Sequence, residues 1–453
     1  MKKYLSQKLI DLANVLPKPI YVVGGFTRDF LINKKPSCDV DLASSMLVEE
    51  ILPYVEKVGF KVKAEYKRTG TIVFGKEKEK YEYTTFRVDS YPLGGAHTPK
   101  KVEFTEDILI DAKRRDFKCN AIYYDIKNGE FVDPLGGIED IKNKVLSTVE
   151  EPKKVFSHDG LRLMRLARFC GELNFTPTTE VIAGAKEFSS NIKDIAVERI
   201  FEELKKILIS NEKHAFSNPN GHYYGLKLLD EIGVLEKILP EVTNGRNLGQ
   251  RKDFHSYDVL EHTLKTVLYA EKEVRLFALL HDVGKPFAMQ KDNKFSLHAE
   301  YGANIVKDIL KRFKADNKIT DLAVFLTKNH MLGVKKQPLE EDLRVFFVEN
   351  YNKIPLLIML KQADHFAGKD DLTFPQYLLK WKHLLKEISL DKTPLTIKNL
   401  KISAQDLLSL GAKQKNLSKT LRNLWLECVK NPTKNNQETL VDLAKQFILL
   451  DNV

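Results

Sequence analysis

The run Tyr21-Val22-Val23-Gly24-Gly25-Phe26-Thr27-Arg28-Asp29, followed by Cys38-Asp39-Val40-Asp41-Leu42, constrains this chain more than any other feature. The apolar run reads as a strand. The two glycines let the backbone approach a ligand closely, because no Cβ stands in the way. Arg28 follows as a phosphate partner. Side chains at i and i+2 of a strand share a face, so Asp39 and Asp41 point the same way. Adjacent carboxylates repel unless a cation lies between them. Hard oxygen ligands of this kind suit Mg²⁺ held jointly with substrate phosphates. Together these pieces point to nucleotidyl transfer.

A chain of 453 residues is expected to form two to four domains. Its net charge of +10 and pI near 9.0 suit a polyanion such as nucleic acid, and say nothing of the fold. The four cysteines (Cys38, Cys119, Cys170, Cys428) are scattered without a CxxC pair, which argues against a disulfide framework or structural zinc. No signal-peptide pattern follows Met1, and no apolar stretch reaches the roughly 18 residues of a spanning helix. The expectation is a cytoplasmic protein without a membrane partner.

Residues 4–16 read as a helix ended by Pro17 and Pro19. Strands are expected at Ile20–Val23, Val40–Leu42, Thr71–Phe74, Tyr81–Phe86, Val102–Phe104 and Ala121–Asp125, with a glycine- and proline-rich, mobile loop over Ser90–Lys100. Asp133-Pro134-Leu135-Gly136-Gly137 marks a turn near the end of this unit, and from about residue 151 the pattern is helical. The expected fold is α+β: a head over 1–150 with a mixed sheet and helices, an all-α neck and body over 151–248, a second helical domain over 249–375, and a C-terminal helical region over 376–453.

Glu82, on the strand Tyr81–Phe86, would complete a two-metal site with Asp39 and Asp41. Two metals can clamp the attacking and leaving oxygens of a phosphoryl displacement. Downstream, Arg114 and Arg115 offer guanidinium forks to phosphate oxygens, while Asp116 and Asn120 either orient an arginine or bind a ribose. In Ser157-His158-Asp159-Gly160-Leu161-Arg162-Leu163-Met164-Arg165, helical spacing puts Asp159, Arg162 and Arg165 on one slowly rotating face, able to offer an acceptor and donors to a base edge. Arg168 has rotated further round.

In the helical half, His281-Asp282 ends the apolar run Val274–Leu280. His262, His298, His330 and Asp364 lie on neighbouring helical stretches. Imidazoles and carboxylates from several helices are a recipe for a divalent metal site in a bundle. His262 lies off the apolar stripe of its own helix, so another layer must cover it if it is a ligand; His255 stands as an alternative first ligand.

The order of these pieces resembles the class II tRNA nucleotidyltransferases (CCA-adding enzymes) and the bacterial poly(A) polymerases, of the DNA polymerase beta-like superfamily. The resemblance spans about residues 18–245 and rests on Gly24-Gly25-x-x-Arg28-Asp29 with Asp39-x-Asp41, Arg114-Arg115-Asp116-Phe117-x-x-Asn120-Ala121, Asp133-Pro134-Leu135-Gly136-Gly137, Asp159-x-x-Arg162-x-x-Arg165 and Ala196-Val197-Glu198-Arg199-Ile200-Phe201-x-Glu203-Leu204. It implies Mg²⁺ on Asp39 and Asp41, nucleotide binding at Gly24, Gly25, Arg28, Arg114, Arg115, Asp116, Asn120, Arg165 and Arg168, and base selection by Asp159 and Arg162. The implied reaction adds C, C and A from CTP and ATP to tRNA. His158 replaces the first residue of the acidic pair usual in the base-reading motif. That departure leaves room for a poly(A) polymerase or an enzyme adding only CC or only A.

Residues 255–370 or so resemble the HD-domain phosphohydrolases. This implies one metal on His262, His281, Asp282 and Asp364, a second on His298 and His330, and a transition metal (Mn, Ni, Co or Fe). It also implies phosphatase or 2′,3′-cyclic phosphodiesterase chemistry. The rival from another class is therefore a metal phosphohydrolase with an RNA-binding head. The oligomeric state is open.

Overall fold

The computed structural model describes residues 1–77, 79–90, 100–251, 253, 255–334 and 337–450. Most of the loop expected over Ser90–Lys100 lies outside them. The chain divides into two compact units, Met1–Thr243 with Arg312–Ala315, and Asn244–Lys311 with Asp316–Val453.

The head of the first unit is built on nine strands: β1 (Tyr21–Val23), β2 (Val40–Ser44), β3 (Lys61–Tyr66), β4 (Thr71–Gly75), β5 (Tyr81–Thr85), β6 (Arg87–Ser90), β7 (Lys101–Phe104), β8 (Tyr123–Asp125) and β9 (Phe131–Val132). Seven of them form one sheet in the order β3-β4-β5-β2-β1-β8-β9, and β6 pairs with β7 apart from it. Within the seven, β2 and β5 run parallel and the other neighbours antiparallel, so the sheet is mixed as expected. The parallel register sets Glu82 directly beside Asp41, and β1 sets Val23 on its other side.

Alternation along the strands sorts side chains to two faces. Val22, Leu42 and Tyr83 join the larger core with Leu9, Leu12, Ile51 and Val55 from helices Gln7–Val15 and Val48–Lys57. Val23, Ala43 and Tyr123 join a smaller cluster on the opposite face. Asp41 and Glu82 belong by register to that second, thinly covered face, which leaves room for a cleft.

Two strand expectations need correction. Ala121 and Ile122 are not in a strand: Lys118–Asn120 forms a 3-10 turn, and β8 begins at Tyr123. The strand expected over Tyr81–Phe86 ends at Thr85, and the chain re-pairs at Arg87 with Phe104. β3 was not anticipated. It is an edge strand exposed along nearly its whole length; Lys61-Val62-Lys63-Ala64-Glu65-Tyr66 does alternate, but the signal is short and flanked by charge, and a bulge interrupts the strand between Val62 and Ala64.

Behind the head stand helices Pro152–His158, Leu161–Leu173, Thr179–Glu187, Val197–Leu208 and Gly221–Glu231. Leu161–Leu173 packs on both Val197–Leu208 and Gly221–Glu231. At Gly221 a Cβ would lie 2.8 Å from the Gly171 Cα, so this crossing tolerates glycine alone.

The second unit is helical throughout its described residues. Its long helices are Val259–Tyr269, His298–Arg312, Asn317–Asn329, Glu340–Glu349, Ile354–Lys369, Gln376–Leu390, Leu417–Lys430 and Gln437–Leu450. Buried Arg344 joins Glu340–Glu349 to the C-terminal region, donating to the Val429 carbonyl (2.6 Å), to Thr393 and to Asp391. Among the described residues no helix is long and apolar enough to cross a membrane.

Candidate active site and metal cluster

A cleft of about 770 Å³ opens on the thin face of the head sheet; Gly24, Gly25, Arg28, Asp39, Asp41, Arg114, Arg115, Asp116, Asn120, Asp159, Arg162, Arg165 and Arg168 all line it. Of the residues singled out for nucleotide chemistry, Glu82 alone is absent from that lining, although the β2–β5 register holds it next to Asp41. Asp39, Asp41 and Glu82 are solvent-accessible, and among the described residues none of them is in an ion pair. The protein packed around Asp41, then the charge of Glu82, push its carboxyl up to about 6; Asp39 adds to this and Arg115 opposes it. A carboxylate crowded by two others, raised in this way and without an ion pair of its own, is one that a divalent cation fits. Gly24 has φ +81°, and a Cβ there would lie 3.2 Å from Asp41 Oδ2, so glycine keeps the carboxylate's approach open.

The arginines of the cleft are held by buried carboxylates. Arg28 Nε donates to Asp29 Oδ1 (2.8 Å) and Nη1 to Asn120 Oδ1 (2.7 Å). Arg114 Nε and Arg115 Nη2 bind the two oxygens of Asp111 at 2.7 and 3.0 Å, and the Tyr123 hydroxyl also donates to Asp111 (2.7 Å). Burial works against the Asp111 charge, but Arg114 and Arg115 outweigh it and hold the carboxyl well below the usual range. Asp116 is likewise held low against its burial, chiefly by Arg165, whose Nε and Nη2 reach Oδ2 at 2.7 and 2.5 Å. Its Oδ1 accepts from the Phe117 amide (2.8 Å) and Asn120 Nδ2 (3.0 Å). In this geometry Asp116 and Asn120 each hydrogen-bond an arginine, Arg165 and Arg28 respectively.

Asp159, Arg162 and Arg165 do not share one helix. Helix Pro152–His158 ends, Asp159 is extended (φ −151°), and the next helix begins at Leu161. Gly160 lets this junction pack closely: a Cβ there would lie 2.3 Å from the Asn191 carbonyl oxygen. Asp159 Oδ1 accepts from the Leu161 amide (2.9 Å), and Oδ2 lies 4.0 Å from Arg162 Nε. Arg162 Nη2 donates to the Arg114 carbonyl (2.6 Å), tying the helical body to the head. Arg168 donates to Glu203 (2.7 Å) and Glu172 (2.9 Å). His158 is half-buried, and burial followed by Arg162 lowers its pKa.

In the second unit His262, His281, Asp282, His298 and His330 are all at most 4 % exposed and converge. Asp282 Oδ2 lies 3.5 Å from His262 Nε2 and 3.2 Å from His281 Nε2; Oδ1 lies 3.3 Å from His298 Nε2 and 3.5 Å from His330 Nε2. Asp364 joins the first group, 3.0 Å from His262 Nε2 and 3.6 Å from His281 Nε2. Helix Ile354–Lys369, which carries Asp364, packs on Val259–Tyr269 and is the layer that covers His262. Two sets of ligand atoms result, His262-His281-Asp282 and Asp282-His298-His330, so Asp282 belongs to both. His255 is in neither; its ring abuts that of His262, with centroids 4.6 Å apart.

The back of each ring decides what the front can hold. His281, His298 and His330 each place Nδ1 2.6–2.7 Å from a backbone carbonyl, of Ala278, Phe295 and Thr327 respectively. A carbonyl only accepts, so Nδ1 carries a hydrogen, and a ring that gives up its other proton to a cation turns its lone pair inward at Nε2. His298 Nε2 and His330 Nε2 then face each other at 3.0 Å beside a carboxylate. Such a convergence of acceptors fits divalent cations.

Three family models match in order: the poly A polymerase head domain over residues 20–147, the probable RNA and SrmB-binding site of polymerase A over 174–245, and the HD domain over 254–368. The CCA-adding enzyme of Lactococcus lactis subsp. lactis is 28% identical over 98% of this chain and 99% of its own. That of Enterococcus faecalis is 38% identical over 42% of this chain and 45% of its own. Segment by segment the chain is thus similar to the poly(A) polymerase head, its RNA-binding region and the HD domain, and along nearly its whole length to CCA-adding enzymes. The fold agrees: the Bacillus stearothermophilus CCA-adding enzyme, solved with CTP, aligns with TM-score 0.66 at 22% identity over 98% of both chains.

In this nucleotidyltransferase the sequence reading missed the carboxylates that hold the arginines, Asp111, Glu172 and Glu203. Two of them had a local signal: Asp111 lies three and four residues before Arg114 and Arg115, and Glu172 four after Arg168. The partner of Arg165 was named, but its 49-residue separation hid the pairing.

Proposed function

We propose that this chain adds C, C and A from CTP and ATP to the 3′ end of tRNA, in the cytoplasm, as a CCA-adding nucleotidyltransferase. The observation that carries it is the meeting, in one cleft, of Asp39 and Asp41, with Glu82 beside Asp41 in register, and Asp159 and Arg162 from the helical body. Asp39, Asp41 and Glu82 would hold Mg²⁺. When bound, it neutralises phosphate charge and acidifies the attacking hydroxyl. Gly24 and Gly25 leave the backbone at the start of helix Gly25–Asn33 open to phosphate, where the helix dipole favours anions. Arg28, fixed by Asp29 and Asn120, and Arg115, fixed by Asp111, present their remaining donors without further reorganisation. Asp159 and Arg162 offer an acceptor and donors to the base edge. The 3′-hydroxyl of the RNA attacks the α-phosphate and pyrophosphate leaves.

The four segments 1–150, 151–248, 249–375 and 376–453 serve here as head, neck and body, HD domain and C-terminal region. Extension of a tRNA transcript lacking CCA, with Mg²⁺ and CTP, ATP or both, tests the reading. Addition that stops after CCA and needs both nucleotides supports it. A long A tail, CC alone or A alone would assign the chain to a specialised relative.

A second reading belongs to the second unit. Its two ligand sets sharing Asp282 fit a transition metal (Mn, Ni, Co or Fe) and metal-assisted phosphoester hydrolysis. Hydrolysis of a 2′,3′-cyclic phosphate that survives Asp39→Ala but not Asp282→Ala would assign it to this site.

A further inference from the structure

Ten cationic side chains line the nucleotide cleft. Seven of them (Arg28, Arg87, Arg114, Arg115, Arg162, Arg165 and Arg168) lie within 4.0 Å of a carboxylate oxygen. They can donate hydrogen bonds, but much of their charge is cancelled where they stand. Arg28, the arginine nearest the glycine turn, is neutralised by Asp29 at 2.7 Å. A nucleoside triphosphate brings several negative charges, and paired arginines do little to offset them. Among the described residues the remaining three, Arg68, Arg199 and Lys213, have no carboxylate partner.

Lys213 is the one of these three that the structure brings to the glycine-turn end of the cleft. It is exposed, and it immediately precedes His214, whose Nε2 lies 3.6 Å from Asp29 Oδ2. Both of those atoms are buried and make no hydrogen bond. Asp29 is in the first turn but one of helix Gly25–Asn33 and holds Arg28 with its other oxygen. The segment carrying Lys213 is pinned from behind. The His214 amide donates to Ser217 Oγ (3.1 Å), Ser217 Oγ donates to the Glu172 carbonyl (2.7 Å), and the His214 ring stacks on Phe216 with centroids 4.6 Å apart. Lys213 is therefore a free cation on a fixed segment, at the end of the cleft where the glycines and the helix N-terminus await phosphate.

We propose that Lys213 binds the β- and γ-phosphates of the incoming nucleotide, and that His214 is the positioning residue that docks its segment on Asp29. The proposal rests on the transfer reading above for its ligand. It predicts a contact common to CTP and ATP, independent of the base and of the RNA.

The test is equilibrium binding to the full chain of CTP, ATP, CMP and a tRNA transcript, each alone. K213Q is expected to weaken CTP and ATP by the same factor, about tenfold for a charged hydrogen bond at a solvent-accessible site, with CMP and tRNA unchanged. K213R should restore most of the loss. H214F keeps the ring stack on Phe216 but loses the nitrogen that faces Asp29. It should weaken the triphosphates alone, and its effect should not add to that of K213Q, because both act through one contact. An unchanged ratio of CTP to CMP affinity in K213Q would overturn the proposal, as would a loss confined to tRNA. Wild-type CTP affinity in H214F would overturn the role of His214. A wild-type chain that binds CTP with the Lys213 dependence but adds nothing to tRNA would sink the transfer reading and leave this site standing.

Discussion

Asp116→Asn is the sharpest test of how the cleft is held together, because the substitution preserves shape and removes only the charge. Asp116 is 6 % exposed and accepts four hydrogen bonds. Two come from Arg165 to Oδ2 and two reach Oδ1 from the Phe117 amide and Asn120. An asparagine keeps one acceptor oxygen and turns an NH₂ group towards a donor already present, either Arg165 or Asn120. Breaking a fully buried pair by removing one partner costs about 3–5 kcal/mol. The Arg165 side chain is 33% exposed, so water recovers part of that, and about 2–3 kcal/mol is the expected cost. The chain holds two units and need not unfold in one step, so a local measurement is the right assay. Amide exchange at Phe117, whose N–H bonds to Asp116, should quicken by about 30- to 160-fold, at 1.36 kcal/mol per tenfold. The sign with pH follows from the direction of the shift. The folded-state pKa of Asp116 is depressed, so its stabilisation is present above the ordinary aspartate value and is lost as pH falls through the folded value. The exchange difference between wild type and D116N should therefore be full at pH 7 and shrink only in acid. Exchange at Phe117 that changes less than about twofold would refute the view that this pair holds the arginine.

Asp39→Ala and Asp41→Ala should each abolish nucleotide addition and leave the metal content of the second unit unchanged; residual transfer in the double variant would sink the two-metal assignment. Without a cation the raised pKa of Asp41 gives stability that is present below the ordinary aspartate value and lost as pH rises through about 6, so Mg²⁺ should raise the melting temperature more at pH 7.5 than at pH 5. An equal shift at both values would show that Asp41 is not a ligand. Gly24→Ala puts a Cβ at φ +81° and 3.2 Å from Asp41 Oδ2. It should cost about 1–2 kcal/mol in thermal unfolding and lower kcat. In the second unit, elemental analysis should find that His298→Ala loses metal from one ligand set and Asp282→Asn from both; equal retention by the two variants would exclude a shared carboxylate.

What the sequence by itself determined is the chemistry whose signals are local. Two glycines after an apolar strand, carboxylates two residues apart, arginines in pairs and His281 beside Asp282 are readable because backbone geometry alone places near neighbours. The mixed-sheet head and the helical remainder were legible for the same reason. The edge strand β3 was overlooked although Val62, Ala64 and Tyr66 alternate with charged residues, because six residues of such a pattern also suit an exposed helix or loop. Only the tertiary structure decided pairings across long separations. Glu82 became the neighbour of Asp41 through a parallel crossover, which no spacing announces. Asp116 met Arg165, 49 residues away, only because a helix returns to the head. The shared use of Asp282 by two histidine pairs, and the inward Nε2 atoms of rings fixed by backbone carbonyls, depend on helices far apart in the chain. Lys213 is one more lysine in a lysine-rich sequence. It matters because burial has paired the arginines around it and left its charge free.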